Sequence, residues 1–534
     1  MQGRRDVLAF ALAATVFWAG LGSYGLVEPS DARYAEIARE MWVSGDWLFP
    51  RLLGIFHFQK PPLLYWLSGI GIAFVGPTEW GARACQGVLG LVLVVLVWRF
   101  ARRHLGAAAA LWAVALVATT PAVIGSGRML TTDLLLATVQ TLALTAWYDV
   151  WSGRGGRGAL VAFYAALGVA FLTKGPVGWL VPGLILGLFA WRFRGSGHRR
   201  VPWGLVWGAA IIAAVAFPWY LFVVARTPGL LSYFLGGQIA SRLQEGGMGH
   251  PHAWYYWLAV FPALGMPWIL LAPSGWRRLR SEGSPLAAFL LVWAAVPPLF
   301  FTFPPSKLPL YVLLSFPALA LAGSVSLVAP NEPRRPVCWA GVLFLGLGAA
   351  FALVGVGAVS PGGGDWAAVT AEDMSRLFLP LAVAATGAGA AAIIWSRLGK
   401  TGARRGAAAL AVCLMATTGW TFANGDRLPL HSARTIGIAA ASEIRKGDTL
   451  AEYRDLSSGL PFYTGRLPLL VDIPRETQFE TRSLADRLIS RPDFLRLWDG
   501  PGRVLAATGL ERAAELPHGR ELARGGGFVL LANQ

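Results

Sequence analysis

The sequence predicts a polytopic α-helical membrane protein of about thirteen transmembrane helices with a small C-terminal α/β soluble domain. Three observations carry this. The 534 residues are 55% hydrophobic and only 14% charged, with a mean hydropathy of +0.52, too apolar for a water-soluble chain of this size. Apolar runs of spanning length alternate with loops of which every second one is basic. After Gly425 the composition becomes that of an ordinary soluble domain.

Taken in order, the apolar runs fall near 7–27, 84–101, 105–125, 134–151, 159–173, 176–193, 203–225, 254–273, 285–303, 308–328, 337–358, 377–395 and 405–423. The first follows Arg4 and Arg5, as in a signal sequence, but is longer than a cleavable core and is expected to remain as the first helix. Between it and the second run lies the first polar interval, 28–83. There Tyr34, Ile37, Ala38, Met41 and Trp42 recur at helical spacing among Arg33, Glu36, Arg39 and Glu40, predicting an amphipathic helix on a surface. The interval also holds Gln59-Lys60-Pro61-Pro62, whose doubled proline stiffens the backbone that presents the lysine. A cation fixed beside a membrane suggests a phosphate ligand. Tyr233, Ile239 and Leu243 with Arg242 predict a second interfacial segment.

The basic loops carry Arg4/Arg5, Arg99/Arg102/Arg103, Arg154/Arg157, Arg192/Arg194/Arg199/Arg200, Arg277/Arg278/Arg280, Arg334/Arg335 and Arg397/Lys400/Arg404/Arg405. The positive-inside rule makes these cytoplasmic, with the N-terminus inside and residues 425–534 outside. The opposite loops hold Asp31, Arg33, Lys60, Arg128, Asp133, Lys174, Arg242, His250, His252 and Lys307. All the unusual polar residues therefore share one face, a placement made without using them. In the outer domain 467–471, 503–507 and Phe528–Ala532 read as buried strands, and 478–490 as an amphipathic helix.

The net charge of +17 does not indicate nucleic-acid binding. From Asn424 onward there are 15 Lys and Arg against 14 Asp and Glu, so the excess lies in short loops of the membrane part. Cys85, Cys338 and Cys413 all fall in apolar segments and suggest packing rather than zinc or disulfide chemistry. No internal repeat of the transporter kind is evident.

Several motifs resemble the polyprenol-phosphate-dependent glycosyltransferases, the dolichyl-phosphate-mannose-protein mannosyltransferase superfamily, and most closely the bacterial lipid A aminoarabinose transferases. They are Asp31 to Met41, Ser44-Gly45-Asp46-Trp47, Lys60-Pro61-Pro62, Arg128 to Asp133, Leu172-Thr173-Lys174-Gly175-Pro176, His252 to Tyr256, Ser306 to Tyr311, and Leu460 to Tyr463 in the outer domain. The resemblance implies a GT-C fold with outward-facing catalytic loops (1–424) and a periplasmic domain (425–534). The localisation it implies is the bacterial inner membrane. The donor is then a sugar, such as 4-amino-4-deoxy-arabinose, on undecaprenyl phosphate, and the acceptor is lipid A, a protein hydroxyl or a glycan.

Asp31 and Asp133 are the catalytic candidates, as base or as orienting groups for the acceptor. For each the plainer role is a helix N-terminal cap. Lys60, with Arg33 or Lys307, is expected to hold the donor phosphate, and Tyr34, Lys174, Arg242, His250, His252 and Tyr311 to line the substrate pocket. Two departures from the family pattern stand out. Of the two acids that precede Arg-Tyr in the aminoarabinose transferases, Ser30 occupies the first position and Asp31 the second. Gln59 stands where a glutamate linked with a metal ion commonly precedes the Lys-Pro, and a neutral amide is a poor cation ligand, so no obligatory metal or other cofactor is expected.

Two other function classes compete. A transporter or flippase for a lipid-linked sugar predicts unusual charges on both faces, against the one-sided distribution here. A non-catalytic polyprenyl-phosphate-binding relative accounts for Ser30 and Gln59 but not for Asp31, Lys60, Asp133, Lys174 and Lys307 together.

Overall fold

The computed structural model describes residues 2–194, 204–240, 251–330, 333–359, 369–398, 401–472 and 487–534. Helix α1 (Gln2–Trp18) ends at Trp18 although the apolar run continues to 27. The reason is a glycine-rich stretch. At Gly20, φ is 68°, and a Cβ there would lie 2.8 Å from the carbonyl oxygen of Phe422, while a Cβ at Gly25 would lie 2.3 Å from the Ser432 hydroxyl. The chain thus leaves the helix and runs closely against later segments.

Helix α2 (Ser30–Ser44) follows and ends at Gly45 in the left-handed conformation. Strands β1 (Arg51–Leu52) and β2 (Ile55–Phe56) then form a hairpin whose two turn residues, Leu53 and Gly54, both have positive φ. Helices α3 (Leu63–Val75), α4 (Glu79–His104), α5 (Ala107–Ala118), α6 (Pro121–Ser126), α7 (Thr132–Trp151), α8 (Arg157–Lys174), α9 (Val177–Arg192) and α10 (Leu205–Arg226) continue the chain. The helices after them are Tyr256–Gly265, Ala272–Ser281, Pro285–Phe300, Ser315–Val328, Arg334–Gly355, Ala371–Arg397 and Gly402–Ala423.

This is a multi-pass membrane protein whose helices are more broken than the apolar runs suggest. Among the described residues six helices are long and apolar enough to cross a bilayer, or seven if the pair Tyr256–Gly265 and Trp268–Ser281, bent by 97°, counts as one. Five further apolar helices have only 10–17 residues. At about 1.5 Å per residue they fall short of a hydrocarbon core about 30 Å thick. Hydropathy reports apolar length without showing where a glycine or proline divides it.

Residues after Gly425 form a six-stranded sheet in the order β5-β4-β3-β6-β8-β7. The strands are β3 (Thr449–Tyr453), β4 (Leu469–Val471), β5 (Leu488–Ile489), β6 (Val504–Gly509), β7 (Arg520–Gly525) and β8 (Phe528–Ala532). Pairing is parallel from β5 through β6 and antiparallel at β8 and β7. Alternation sends Ala451, Tyr453, Val504, Ala506, Val529 and Leu531 to one face with Phe494 and Trp498. Leu450, Leu505, Ala507, Phe528 and Leu530 go to the other with Ile436, Ala440 and Leu460.

The helix expected over 478–490 is only partly testable: 473–486 lie outside the described residues, and Leu488–Ile489 is an edge strand. Leu470 of β4 packs with Ile37 and Met41 of α2 and with Leu52, Leu53 and Ile55 of the hairpin, which seats the sheet on the first polar interval.

Candidate functional site

Helix α2 is fixed at its start by Asp31. This carboxylate, fully buried, accepts from the Leu130 amide at 2.8 Å, the Val27 amide at 3.1 Å and Arg83 Nε at 3.1 Å. Arg83, also fully buried, spans the gap to the carbonyls of Leu21, Tyr24 and Gly25 and lies over the Tyr24 ring. A buried ion pair with its remaining hydrogen bonds made is a staple, since removing either partner strands a charge in a dry interior. Asp31 was a catalytic candidate on sequence, but its oxygens are taken up by this structure. Arg128 is likewise structural: it is buried, donates to the Val16 carbonyl at 2.9 Å and caps the end of α1.

Asp133 is in a different position. Thr131 is the N-cap of α7, so Asp133 lies within the first turn and its carboxylate turns aside to Lys174, at 2.6 Å from Nζ. Lys174 is the last residue of α8, and Gly175, at φ 68°, breaks the helix there while its amide still bonds Phe171 at 2.7 Å. The lysine ammonium also lies 4.7 Å from the centre of the Tyr311 ring. Tyr34 of α2 stands within electrostatic reach of Lys174, Asp133 and Arg33 and packs on Tyr65 at 5.5 Å. Burial pushes its phenol above the ordinary range, so it enters the site as a neutral hydroxyl.

Arg33, half-buried on α2, makes no side-chain hydrogen bond or ion pair with the described residues. Lys60 is half-buried just before the buried Pro61 and Pro62, the latter being the N-cap of α3. One residue of this cluster escaped the sequence analysis. His57 is 3% exposed, and its Nδ1 is sealed without a hydrogen-bond partner. Burial, with Arg33 and Lys60 nearby, lowers its pKa to about 3, so the imidazole is neutral at any physiological pH. Its signal was its place three residues before Lys60, on the strand-like exit of the hairpin, where a lone histidine among Phe56 and Phe58 reads as core.

The structure therefore brings together Tyr34, Asp133, Lys174 and Tyr311, and beside them Arg33, His57 and Lys60. Basic groups beside the aromatic cluster of Phe58, Trp219, Tyr220 and Phe234 suit an anionic group carrying an apolar tail. Lys307 does not join them. It is 2% exposed and its ammonium donates to the carbonyls of His252 at 2.9 Å and Pro304 at 2.8 Å, against the expectation that it meets a phosphate. His252 is exposed and stacks on Tyr256 at 4.4 Å. Arg242 and His250 lie outside the described residues. No three His, Cys, Asp or Glu side chains among the described residues are grouped to share a metal ion.

A second buried polar group lies on the far side of α2. Glu28 accepts from the Ser457 hydroxyl at 2.9 Å and the Gly459 amide at 2.6 Å, while Glu452 accepts from the Ser457 amide at 3.2 Å. Each acid keeps one sealed oxygen without a partner. Burial raises Glu28 to about 7 and Glu452 well above the carboxylate range, with Glu28 adding to the latter.

The family model described as dolichyl-phosphate-mannose-protein mannosyltransferase matches residues 59–222. The undecaprenyl phosphate-alpha-4-amino-4-deoxy-L-arabinose arabinosyl transferase 1 of Pseudomonas fluorescens is 30% identical over 323 residues, 58% of this chain and 57% of that protein. The corresponding transferase of Pectobacterium atrosepticum is 30% identical over 380 residues, 67% of this chain and 66% of its own. The chain thus spans less than two thirds of these relatives. The crystal structure of ArnT from Cupriavidus metallidurans in the apo state matches with a TM-score of 0.81 and 26% identity, covering 99% of this chain and 98% of that one. The same protein bound to undecaprenyl phosphate matches in fold with a TM-score of 0.83 at 24% identity, over 99% and 98%.

Proposed function

We propose that this chain, which belongs to the polyprenol-phosphate-dependent GT-C glycosyltransferases, is an enzyme moving a sugar from undecaprenyl phosphate to lipid A, with 4-amino-4-deoxy-arabinose as the sugar. The observation that carries this is the enclosed cluster of Arg33, Lys60 and the Lys174–Asp133 pair beside an aromatic-lined wall.

In the transfer, an acceptor oxygen attacks the anomeric carbon while the bond from that carbon to the donor phosphate oxygen breaks. The electron pair stays on the phosphate, whose charge rises from one to two. Lys60 and Arg33 stabilise that growing charge. The Asp133–Lys174 pair, with Tyr34 and Tyr311, orients the sugar and acceptor. A lipid A phosphate is already ionised and needs little help from a base, which agrees with Asp31 serving to hold α2 in place.

The finer topology is part of the same proposal. About thirteen crossings are reached only if short helices cross as pairs or the bilayer thins around them. Residues 1–424 are the membrane domain and 425–534 the periplasmic one, with the N-terminus cytoplasmic. Arg99, Arg102, Arg103 and Arg154 support this orientation, since they gather at the end of α4 and α7 remote from Asp133.

The test is to mix purified full-length protein with undecaprenyl-phosphate aminoarabinose and lipid A and follow donor loss and acceptor mass. Transfer by the wild type that disappears in Lys60→Ala and Asp133→Asn supports the proposal. Donor that binds but stays intact with this and other acceptors defeats it in favour of a binding protein.

A further inference from the structure

His57 is explained neither by packing nor by the roles assigned above. A core histidine is ordinarily satisfied at both nitrogens, because a sealed polar atom without a partner costs roughly 1–3 kcal/mol. Among the described residues Nδ1 is sealed and orphaned, and the distal Nε2 has no partner either, though unlike Nδ1 it is not closed off. The ring is held in place by its backbone, whose amide bonds the Pro50 carbonyl at 2.8 Å, and by the hairpin immediately before it.

The surroundings determine which nitrogen carries the proton. Arg33 and Lys60 are the charged groups whose fields act on this ring. A sealed nitrogen near two cations is better left as a lone pair than as a further positive N–H. The proton therefore belongs on Nε2, the end that is open, and the ring offers a neutral N–H donor in the neighbourhood of Arg33 and Lys60.

We propose that His57 is a third donor to the departing prenyl phosphate, selective for the doubly charged monoester over the singly charged diester. The inference rests on the donor site proposed above and deepens it. When the anomeric carbon–oxygen bond breaks, the electron pair it leaves adds one negative charge to the phosphate. An N–H that contributes little to a diester gains strength as that charge appears. Lys60 and Arg33 attract both forms through long-range charge, whereas a neutral donor discriminates through its hydrogen bond. His57 thus acts on the transition state and product more than on donor binding.

Two probes separate these effects: farnesyl phosphate, a monoester, and its methyl ester, a diester, titrated against the detergent-solubilised full chain. His57→Leu is expected to weaken farnesyl phosphate binding roughly tenfold, the size of one hydrogen bond to a charged group, and to change methyl ester binding less than about twofold. His57→Gln, whose amide N–H reaches nearly as far as Nε2, is expected to recover most of the loss. Lys60→Ala is expected to weaken both ligands. Equal loss of both ligands in His57→Leu, no loss of either, or failure of Gln to improve on Leu at equal melting temperature would overturn the role of His57 alone. If the wild type binds neither probe, the donor site itself is wrong and this inference falls with it.

Discussion

Helix α7 carries an aspartate near each end, Asp149 buried and Asp133 half-buried, and the two are held in different ways. Asp133 and Asp149 are separated by about 24 Å of helix. Asp149 meets Arg103, His104 at 2.7 Å and Arg99 at 3.5 Å, and its carbonyl takes the amides of Arg154 at 2.9 Å and Gly155 at 2.7 Å. Its arginines are over a third exposed and reach outward, away from the carboxylate they neutralise. Asp133 meets Lys174, itself enclosed, and stands with Tyr34, Tyr311 and Arg33 around it. The difference is one of setting: Asp149 is tied to three basic groups and fixes a helix end, whereas Asp133 is tied to a lysine beside two tyrosines.

The largest expected effect tests that contrast directly. Lys60→Ala should lower kcat for transfer by about 100- to 1,000-fold, the loss typical of removing one donor from a site of developing charge, with the melting temperature nearly unchanged. Asp149→Asn should do the reverse, lowering the melting temperature while leaving kcat within about twofold. A large kcat loss in Asp149→Asn would break the comparison.

Next in size, Asp133→Asn leaves Lys174 enclosed without its carboxylate, and kcat should fall about 10- to 100-fold. Adding Lys174→Met should cost little more. Additive losses in the double variant would show that the two side chains act separately.

Asp31→Asn sharpens the contrast within the site face itself. Breaking a fully buried pair costs about 3–5 kcal/mol, so the activity lost should track loss of fold, read as faster amide exchange in α2. Loss of transfer with unchanged exchange would return Asp31 to the chemistry.

The smallest effect concerns Glu28 and Glu452. Their folded-state pKa values are raised, so the stability they give is full below the unfolded carboxylate range. It is lost as pH climbs through the folded value, about 7 for Glu28. Melting temperature should drop a few degrees between pH 5 and pH 8, and Glu28→Gln should flatten the profile. Arg33 opposes the shift, while Glu452, Asp455 and Glu36 form the acidic surroundings. A wild-type profile that is level over this interval would remove the acids from the seam.

Much of the site was legible because its residues interrupt apolar sequence. Lys174 at the end of one run and Asp133 at the start of another mark one membrane face, and the structure pairs them. Asp31 was misleading because its partner, Arg83, is 52 residues away and opens a helix that reads as merely apolar. Lys307 looked free because backbone carbonyls, which every residue has, leave no trace in a sequence. His57 was hidden for the opposite reason: its importance is a missing partner, visible only once neighbours are placed. Three of the six strands after Gly425 were legible from runs such as Phe528–Ala532, whose five residues are all buried. The helix count was not, since Gly20 and the 97° bend divide runs that hydropathy joins.

The hydrogen bond from the Gly459 amide to Glu28 joins residues 431 positions apart. During synthesis the ribosome makes the acid 431 residues before the amide that helps enclose it. Until then the nascent protein holds Glu28 in water as an ordinary carboxylate, and α2 lacks the partner that covers its back. Tyr463, which binds the Leu26 amide at 2.8 Å and Glu79 at 3.1 Å, completes the same closure. A chain stalled before Ser457 would therefore lack these contacts and leave α2 unsecured. The order of translation itself leaves α2 unsecured until residues 457–463 have been delivered.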